Sequence, residues 1–307
     1  MRPMIRTLAL IAAAALVLAA CGDAAEDTTT TAEVADTAPE VEDTMPEDTT
    51  PEEEPPADEC GPDHPALHTP GQLTVGTGDP VFPPWMLDDN PEGGEGFENG
   101  MVYALAEELG FDYDDVVWVG ETFEEAIAPG AKPYDFSIQQ ISVTEEREEI
   151  VDFSMVYYQS DKVIVALPDS AVVGATTFAE LQDAEWGATI GTTDLDYIEN
   201  ILGVSDVAVF DDQAGTFQAL LGGQIDATVV ALPTALFATA VQIPEADIVA
   251  IVPPDENDTG HGLLFEQGNE LVDCINQGLT AIIADGEIDR LVEEYLLPEE
   301  EIPFISD

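Results

Sequence analysis

From Gly71 onward the chain alternates short β-branched runs with longer stretches that carry apolar residues at helical spacing. Leu73 to Gly76 predicts a strand, and Met101 to Leu109 an amphipathic helix closed by Gly110. A strand over Val116 to Val119, a short helix over Phe123 to Ala128 and a strand over Phe136 to Ile138 follow. The alternation resumes with strands at Val163 to Ala166 and Gly187 to Ile190, then a helix near Leu195 to Leu202. Next come a strand at Val207 to Phe210, a helix at Gln213 to Leu221 and a strand at Ala227 to Val230. Two helices, Asn269 to Ala284 and Ile288 to Leu296, close the pattern. Strand–helix alternation at this spacing predicts an α/β fold with mostly parallel sheets. The two runs have similar texture without a short repeat, which suits two lobes.

The start of the chain has a different character. Arg2 and Arg6 precede an apolar run from Leu8 to Ala20 that ends in Leu-Ala-Ala-Cys21-Gly22. A positive start, a short apolar stretch and small residues before the cut describe a secretory leader over residues 1–20. The run is short of the roughly 20 apolar residues that a membrane span needs. Its end on a cysteine resembles the bacterial lipoprotein signal, which implies a lipid on Cys21 and attachment to the outer face of the cell membrane. An ordinary leader that happens to contain a cysteine is the alternative. Residues 21–59 are mostly Thr, Glu, Asp, Pro and Ala, with almost nothing to bury. They are expected to form an extended, self-repelling tether.

Charge narrows the functional classes. Six Lys and Arg stand against 65 Asp and Glu in 307 residues, a formal net charge of -59. Nucleic acid and anionic membrane surfaces would meet like charge, so neither is an expected partner. At about 1 M salt the screening length falls to roughly 3 Å, so acidity of this degree suits a saline habitat. The leader takes two of the six basic residues with it and leaves Lys132, Arg147, Lys162 and Arg290. Cys60 and Cys274 form an even pair in an exported chain and predict a disulfide. Two separately buried thiols are the alternative. His64, His68 and His261 offer no Cys/His ligand spacing, so neither zinc nor any other metal or cofactor is expected.

Three segments carry candidate chemistry. In Ser142-Val-Thr144-Glu-Glu-Arg147 a loop after a strand opens a helix capped by Thr144. A helix start beyond the carboxyl end of a strand favours anions, and Arg147 one turn later can fork onto a carboxylate. No acid lies three or four residues from Arg147, where helical neighbours would meet it. A surface arginine offsetting nearby acids remains the plainer reading. Gly191-Thr192-Thr193 follows a second strand in the same way and offers N–H groups and hydroxyls, unless it is a routine cap. Gly78-Asp79-Pro-Val-Phe82-Pro-Pro-Trp85 places an acid and two aromatics after the first strand. They could receive a cationic group and stack on a side chain, or serve as a cap and core packing.

Taken in order, LTVGTGDPVFPPW, GFENGMVYALAEELGF, YDFSIQQISVTEEREEIVDFSMVYYQS, WGATIGTT, ALLGGQIDATVVALPTALF and NQGLTAIIADGEIDRLVEEYL resemble the family 3 solute-binding proteins of ABC importers. The resemblance runs from Gly71 to Leu297, and its Ser-x-Thr-x-x-Arg block is the most specific part. It implies an α/β periplasmic-binding-protein fold, a flytrap of two lobes joined by a two-strand hinge. Lobe 1 would be residues 60–160 plus 258–307, and lobe 2 residues 161–257. Carried over by position, Arg147 and Thr193 would hold a ligand carboxylate, helped by Ser142, Thr144 and the Gly191 to Thr193 loop. Phe82 and Phe123 would flank the side chain with Trp85 nearby, while Asp79, Glu98, Gln139 and Gln140 would set preference. The family's usual Asp for the ligand's α-ammonium falls on Ala231, so either Asp79 or Glu98 replaces it or the ligand is no ordinary α-amino acid. The implied protein is a non-enzymatic, extracytoplasmic monomer that delivers a small polar solute, foremost an amino acid, to an ABC permease. An ectoine-like compatible solute, a cyclohexadienyl dehydratase-like enzyme and a sensor are the alternatives.

Overall fold

In a computed structural model the described residues are 60–296, 302, 304 and 305. The expected leader, the lipidation cysteine Cys21 and the acidic tether lie outside them. The first lobe is built on β1 (Leu73–Gly78), which pairs in parallel with β2 (Val116–Glu121) and with β3 (Phe136–Ser137). Five residues of β1 are buried, so the strand reads as an apolar run rather than an alternating one. The sheet continues through β10 (Leu264–Phe265) to β4 (Asp152–Phe153), both antiparallel contacts. A strand from late in the chain therefore completes the first lobe.

Helix α1 (Phe97–Glu108) covers this sheet and packs against α7 (Val272–Ala284) and α8 (Glu287–Tyr295). Phe97, Met101, Val102 and Leu105 meet Ile275, Leu279, Ile282 and Leu291 in one buried cluster. Each such side chain contributes about 1.5–3 kcal/mol on burial. The helix starts four residues before the predicted Met101, because Glu98, Asn99 and Gly100 mask its pattern. Gly96, at φ 110°, turns the chain into it, and a Cβ there would lie 2.4 Å from the Trp85 carbonyl oxygen. Cys60 and Cys274 form a disulfide that ties the start of the lobe to α7.

The second lobe departs from the parallel expectation. Its main sheet places β5 (Lys162–Ala166) between β8 (Ala227–Ala231) and β9 (Asp247–Ile251), antiparallel to both. The chain enters this lobe at Lys162 and leaves beyond Ile251, where the Val252 N–H donates to the Lys162 carbonyl at 3.0 Å. Entry and exit at one end of the sheet oblige β5 and β9 to run in opposite directions. Parallel pairing survives in β6 (Gly187–Thr189) with β7 (Ala208–Phe210). Strand β9 and helix α6 (Leu232–Phe237) were not among the predicted elements.

Two passages, 154–161 and 252–263, join the lobes and meet at a Tyr158–His261 bridge. One boundary needs correction. Phe304 bridges to Ile251, the Ile305 N–H donates to the Ile251 carbonyl at 2.9 Å, and Ile305 is buried with Trp186 and Ala250. The segment expected to end in the first lobe thus pairs with β9 of the second, where an apolar residue covers an otherwise open edge.

Candidate functional site

A cavity of about 200 Å³ lies where both lobes present the carboxyl ends of their strands. The first lobe contributes the turn after β1 (Gly78, Asp79, Phe82), the end of β2 with Phe123, and Gln139, Gln140, Ser142 and Arg147. The second contributes Lys162, Thr189, Thr192, Thr193, Asp194, Asp211, Asp212, Ala231 and Thr234, and the returning passage adds His261.

Arg147 belongs to the short helix α3 (Glu145–Glu148), whose N-cap Thr144 accepts from the Arg147 N–H at 3.3 Å. The side chain is only 7% exposed and borders the cavity. Its Nη1 donates to the Ser142 carbonyl at 2.6 Å and its Nη2 to the Gly191 carbonyl at 2.9 Å, in the opposite lobe. Its guanidinium carbon stands 5.4 Å from the centroid of the Phe123 ring, a cation–π distance. Among the described residues no carboxylate reaches Arg147 at ion-pair distance. Burial pulls its pKa down, opposed by the fields of Asp258, Asp196 and Asp194. A guanidinium held by neutral carbonyls in a cavity is prepared to receive an anion. Gly191 itself needs a glycine, with φ 71° and a Cβ position 3.1 Å from Ile127 Cδ1.

A second cation stands nearby, and no sequence motif marked it as part of the site. Lys162 Nζ lies 2.6 Å from Asp194 Oδ1 and 3.2 Å from Asp258 Oδ2, and donates to Thr193 Oγ1 at 3.0 Å. Burial lowers the Lys162 pKa, but Asp194 and Asp258 outweigh it and the net shift is upward. Asp258 also accepts from Ser142 Oγ at 3.0 Å and from Thr193 Oγ1 at 2.9 Å, while Ser142 Oγ lies 3.2 Å from Thr193 Oγ1. The predicted Ser142 and Thr193 therefore meet across the two lobes. Thr192 does local work: its hydroxyl caps α4 (Thr193–Asp196) and donates to the Thr189 carbonyl at 2.8 Å. Two of the four basic residues that follow the expected leader border this one cavity. Of the other two, Lys132 donates to the carbonyls of Glu125, Ala126 and Ala128, and Arg290 pairs with Glu287 and Glu294 on the surface.

The remaining wall is acidic. Asp79 lines it beside Glu121, whose carboxylate accepts from Ser137 Oγ at 2.6 Å and Tyr134 Oη at 2.9 Å. Burial raises the Glu121 pKa against those two hydrogen bonds. Gln139 Nε2 donates at 3.3 Å to Glu121 Oε1, the oxygen that Ser137 also bonds, while Tyr134 takes Oε2. Asp211 and Asp212 face in from the second lobe, Asp212 also capping α5 (Gln213–Leu221) through the Gly215 N–H at 2.7 Å.

Two predicted site residues lie behind the wall instead. Trp85 is completely buried against Phe97, Tyr158 and His261. Its indole N–H donates to Thr234 Oγ1 at 2.8 Å, so it joins the lobes rather than stacking on a solute. Glu98 is also fully buried; it accepts from Tyr157 Oη, from the Gln140 N–H at 2.8 Å and from Gln140 Nε2. Desolvation raises its pKa to about 7 against those bonds. Glu98 supports Gln140, a non-glycine residue at φ 54°, and does not line the cavity. Thr144 and Gly191 act through backbone geometry around Arg147 and likewise do not line the cavity. Among the described residues no group of His, Cys, Asp and Glu has the arrangement of a metal site.

Two lobes, strand ends converging on a small polar cavity, and a cation awaiting an anion define a solute-binding protein of the two-lobed kind. The chain belongs to the bacterial extracellular solute-binding proteins, family 3, whose profile matches residues 73–298. It is similar to the L-cystine-binding protein TcyJ of Escherichia coli K12, 27% identical over 230 residues that cover 73% of this chain and 82% of the relative. The ABC transporter arginine-binding protein 1 of the same organism is 26% identical over 205 residues, covering 65% and 81%. Among solved structures, an ancestral arginine-binding protein bound to arginine superposes with a TM-score of 0.62 at 29% identity, covering 74% of this chain and 99% of that one. No helix of the described residues is long and apolar enough to cross a membrane.

Proposed function

We propose that this chain is the extracytoplasmic solute-binding component of an ABC importer, held to the membrane by lipid on Cys21, and that it captures a small amino acid. The observation that carries this is Arg147, a buried cavity guanidinium held by two backbone carbonyls, with no carboxylate partner among the described residues. A ligand carboxylate would receive its remaining N–H groups beside Ser142 and Thr193, whose hydroxyl protons go to Asp258. Asp79, Asp211 and Asp212 give the rest of the wall an excess of negative charge, which favours a cationic or polar side chain between Phe82 and Phe123. Similarity to cystine- and arginine-binding proteins supports the same class.

Capture would begin in an open form, with Arg147 presented by the first lobe. Closure adds the Gly191 to Thr193 loop and exchanges water for fixed donors, and the closed shape then docks on a permease. Ligand shifts the balance only by its differential affinity for the two forms. Two buried titratable groups, Glu98 and His261, fit a binding role better than catalysis. Glu98, the carboxyl held at about 7, stands behind the wall, and burial pushes His261 down to about 4 despite the field of Asp258. Neither is poised for proton transfer on a bound solute at neutral pH.

The test is a thermal-shift screen of the protein against the common amino acids, ectoine and glycine betaine. A true ligand at a hundred times its dissociation constant adds about 2.7 kcal/mol to apparent stability. A hit among α-amino acids supports the proposal. A hit confined to ectoine or betaine replaces the amino acid with a compatible solute, and no hit at all sinks the carboxylate-capture reading.

A further inference from the structure

We infer that Asp194, braced by Lys162 and Asp258, holds the α-ammonium of the bound amino acid. The inference rests on the amino-acid reading above and adds a residue that determines which carboxylates are accepted.

The α-ammonium and carboxylate of an amino acid share one carbon, so their binding groups must be neighbours. Arg147 is bonded to the Gly191 carbonyl, and Asp194 follows three residues later on the same loop and helix start, next to Thr193. Asp194 borders the cavity. Its Oδ1 is taken by Lys162 at 2.6 Å, while Oδ2 has no hydrogen-bond partner among the described residues and can accept from an ammonium. Asp258 is differently placed. Its Oδ2 serves Ser142, Thr193 and Lys162, its Oδ1 takes the Gly260 N–H at 3.2 Å, and it is not part of the cavity wall.

Charge leads to the same residue. Arg147 and Lys162 are offset by Asp194 and Asp258, and Asp196 adds a further negative field at Arg147. A zwitterion leaves this charge unchanged, whereas a carboxylate without an ammonium adds one uncompensated negative charge in a buried place, which is unfavourable. The end of β8 offers no competing acid, since Ala231 stands in register opposite Lys162 and presents only a methyl group. His261 is an independent sign that a polar group completes this end. It borders the cavity, is 7% exposed, and its buried Nδ1 has no partner among the described residues.

The test is calorimetric titration with pairs that differ only in the α-ammonium. L-arginine is compared with 5-guanidinopentanoate, and L-histidine with imidazolepropionate. The wild-type protein is expected to prefer the amino acid of at least one pair by about 10- to 100-fold, the range for a hydrogen bond to a charged group. Asp194→Asn should reduce that preference to less than about threefold, by weakening the amino acid while the des-amino partner, relieved of one negative charge, binds no more weakly than before. Adding Ala231→Asp to that variant should restore a preference of about tenfold, because the new carboxylate would face Lys162. Equal wild-type affinity for both members of every pair that binds overturns the inference, with no substitution needed. So does an Asp194→Asn protein that weakens both members alike. A wild-type protein that binds neither member of either pair, nor any other common amino acid, removes the amino-acid reading itself, a different failure from binding without discrimination.

Discussion

The indole N–H of Trp85 donates to Thr234 Oγ1 at 2.8 Å, across 149 residues of sequence and from one lobe to the other. Trp85 follows β1, Thr234 lies in α6, and both partners are buried. A bond between the lobes stabilises this arrangement of them over any in which Trp85 and Thr234 part, without touching a solute. Trp85→Phe keeps most of the apolar burial and removes the donor. A single neutral hydrogen bond contributes about 0.5–1.5 kcal/mol, so apparent affinity should fall by about two- to tenfold. Calorimetric titration with the best amino acid checks this; unchanged affinity would mean that the bond does not bias closure.

Arg147→Ala should have a far larger effect. It leaves a buried ligand carboxylate without its cation, a loss of roughly 3–5 kcal/mol by analogy with broken buried ion pairs. At about 1.4 kcal/mol per tenfold, binding weakens by a hundredfold to a few thousandfold. Arg147→Lys should recover little, because one ammonium cannot serve the Ser142 and Gly191 carbonyls and a carboxylate in a forked geometry. Binding within tenfold of the parent by the alanine variant would show that the carboxylate sits elsewhere.

Glu98 should imprint a pH dependence on stability. Its pKa in the folded protein is about 7, against 4.5 for an unperturbed glutamate. Between these values the folded state binds more protons than the unfolded one, so this group's contribution is fully present below about pH 4.5 and declines as pH rises towards 7. Glu98→Gln cannot ionise. The Tm of the variant minus that of the parent should therefore increase between pH 4.5 and 7 and level off above. A difference that stays flat with pH would show that Glu98 remains ionised in the fold.

Reduction of the Cys60–Cys274 bond should destabilise the closed first lobe without abolishing its architecture. The bridge closes a sequence separation of 214 residues, for which the chain-entropy view gives about 5 kcal/mol. Paired Cys60→Ser and Cys274→Ser substitutions should lower the denaturant midpoint accordingly, and the ligand affinity of the folded variant should be nearly unchanged. A midpoint equal to that of the parent would mean that the unfolded chain is already compact.

Most strands and helices of the α/β alternation were legible, because burial on one face of a helix or on both faces of a strand forces a periodicity that needs no knowledge of the partner. The predicted strand at Leu73 and helix at Gln213 fall where the structure places β1 and α5. Arg147 and Thr193 were legible as candidates because caps and strand ends leave local marks, and because cations are scarce. Elements without such marks were missed. Strand β10 has only two residues, and its place in the first lobe is decided by antiparallel pairing with β3 and β4, far away in sequence.

The cavity's composition was decided by tertiary structure. Glu98, on α1, carried the same promise in sequence as Asp79, yet helix packing turned its carboxyl towards Tyr157 and Gln140, behind the wall. Lys162 carried no motif, because its importance arises only when Asp194 and Asp258, 32 and 96 residues further on, converge on its ammonium. Local propensity is written into neighbouring residues and can be read from them. Which charges share a buried space depends on contacts between distant segments, and only the folded chain brings those together.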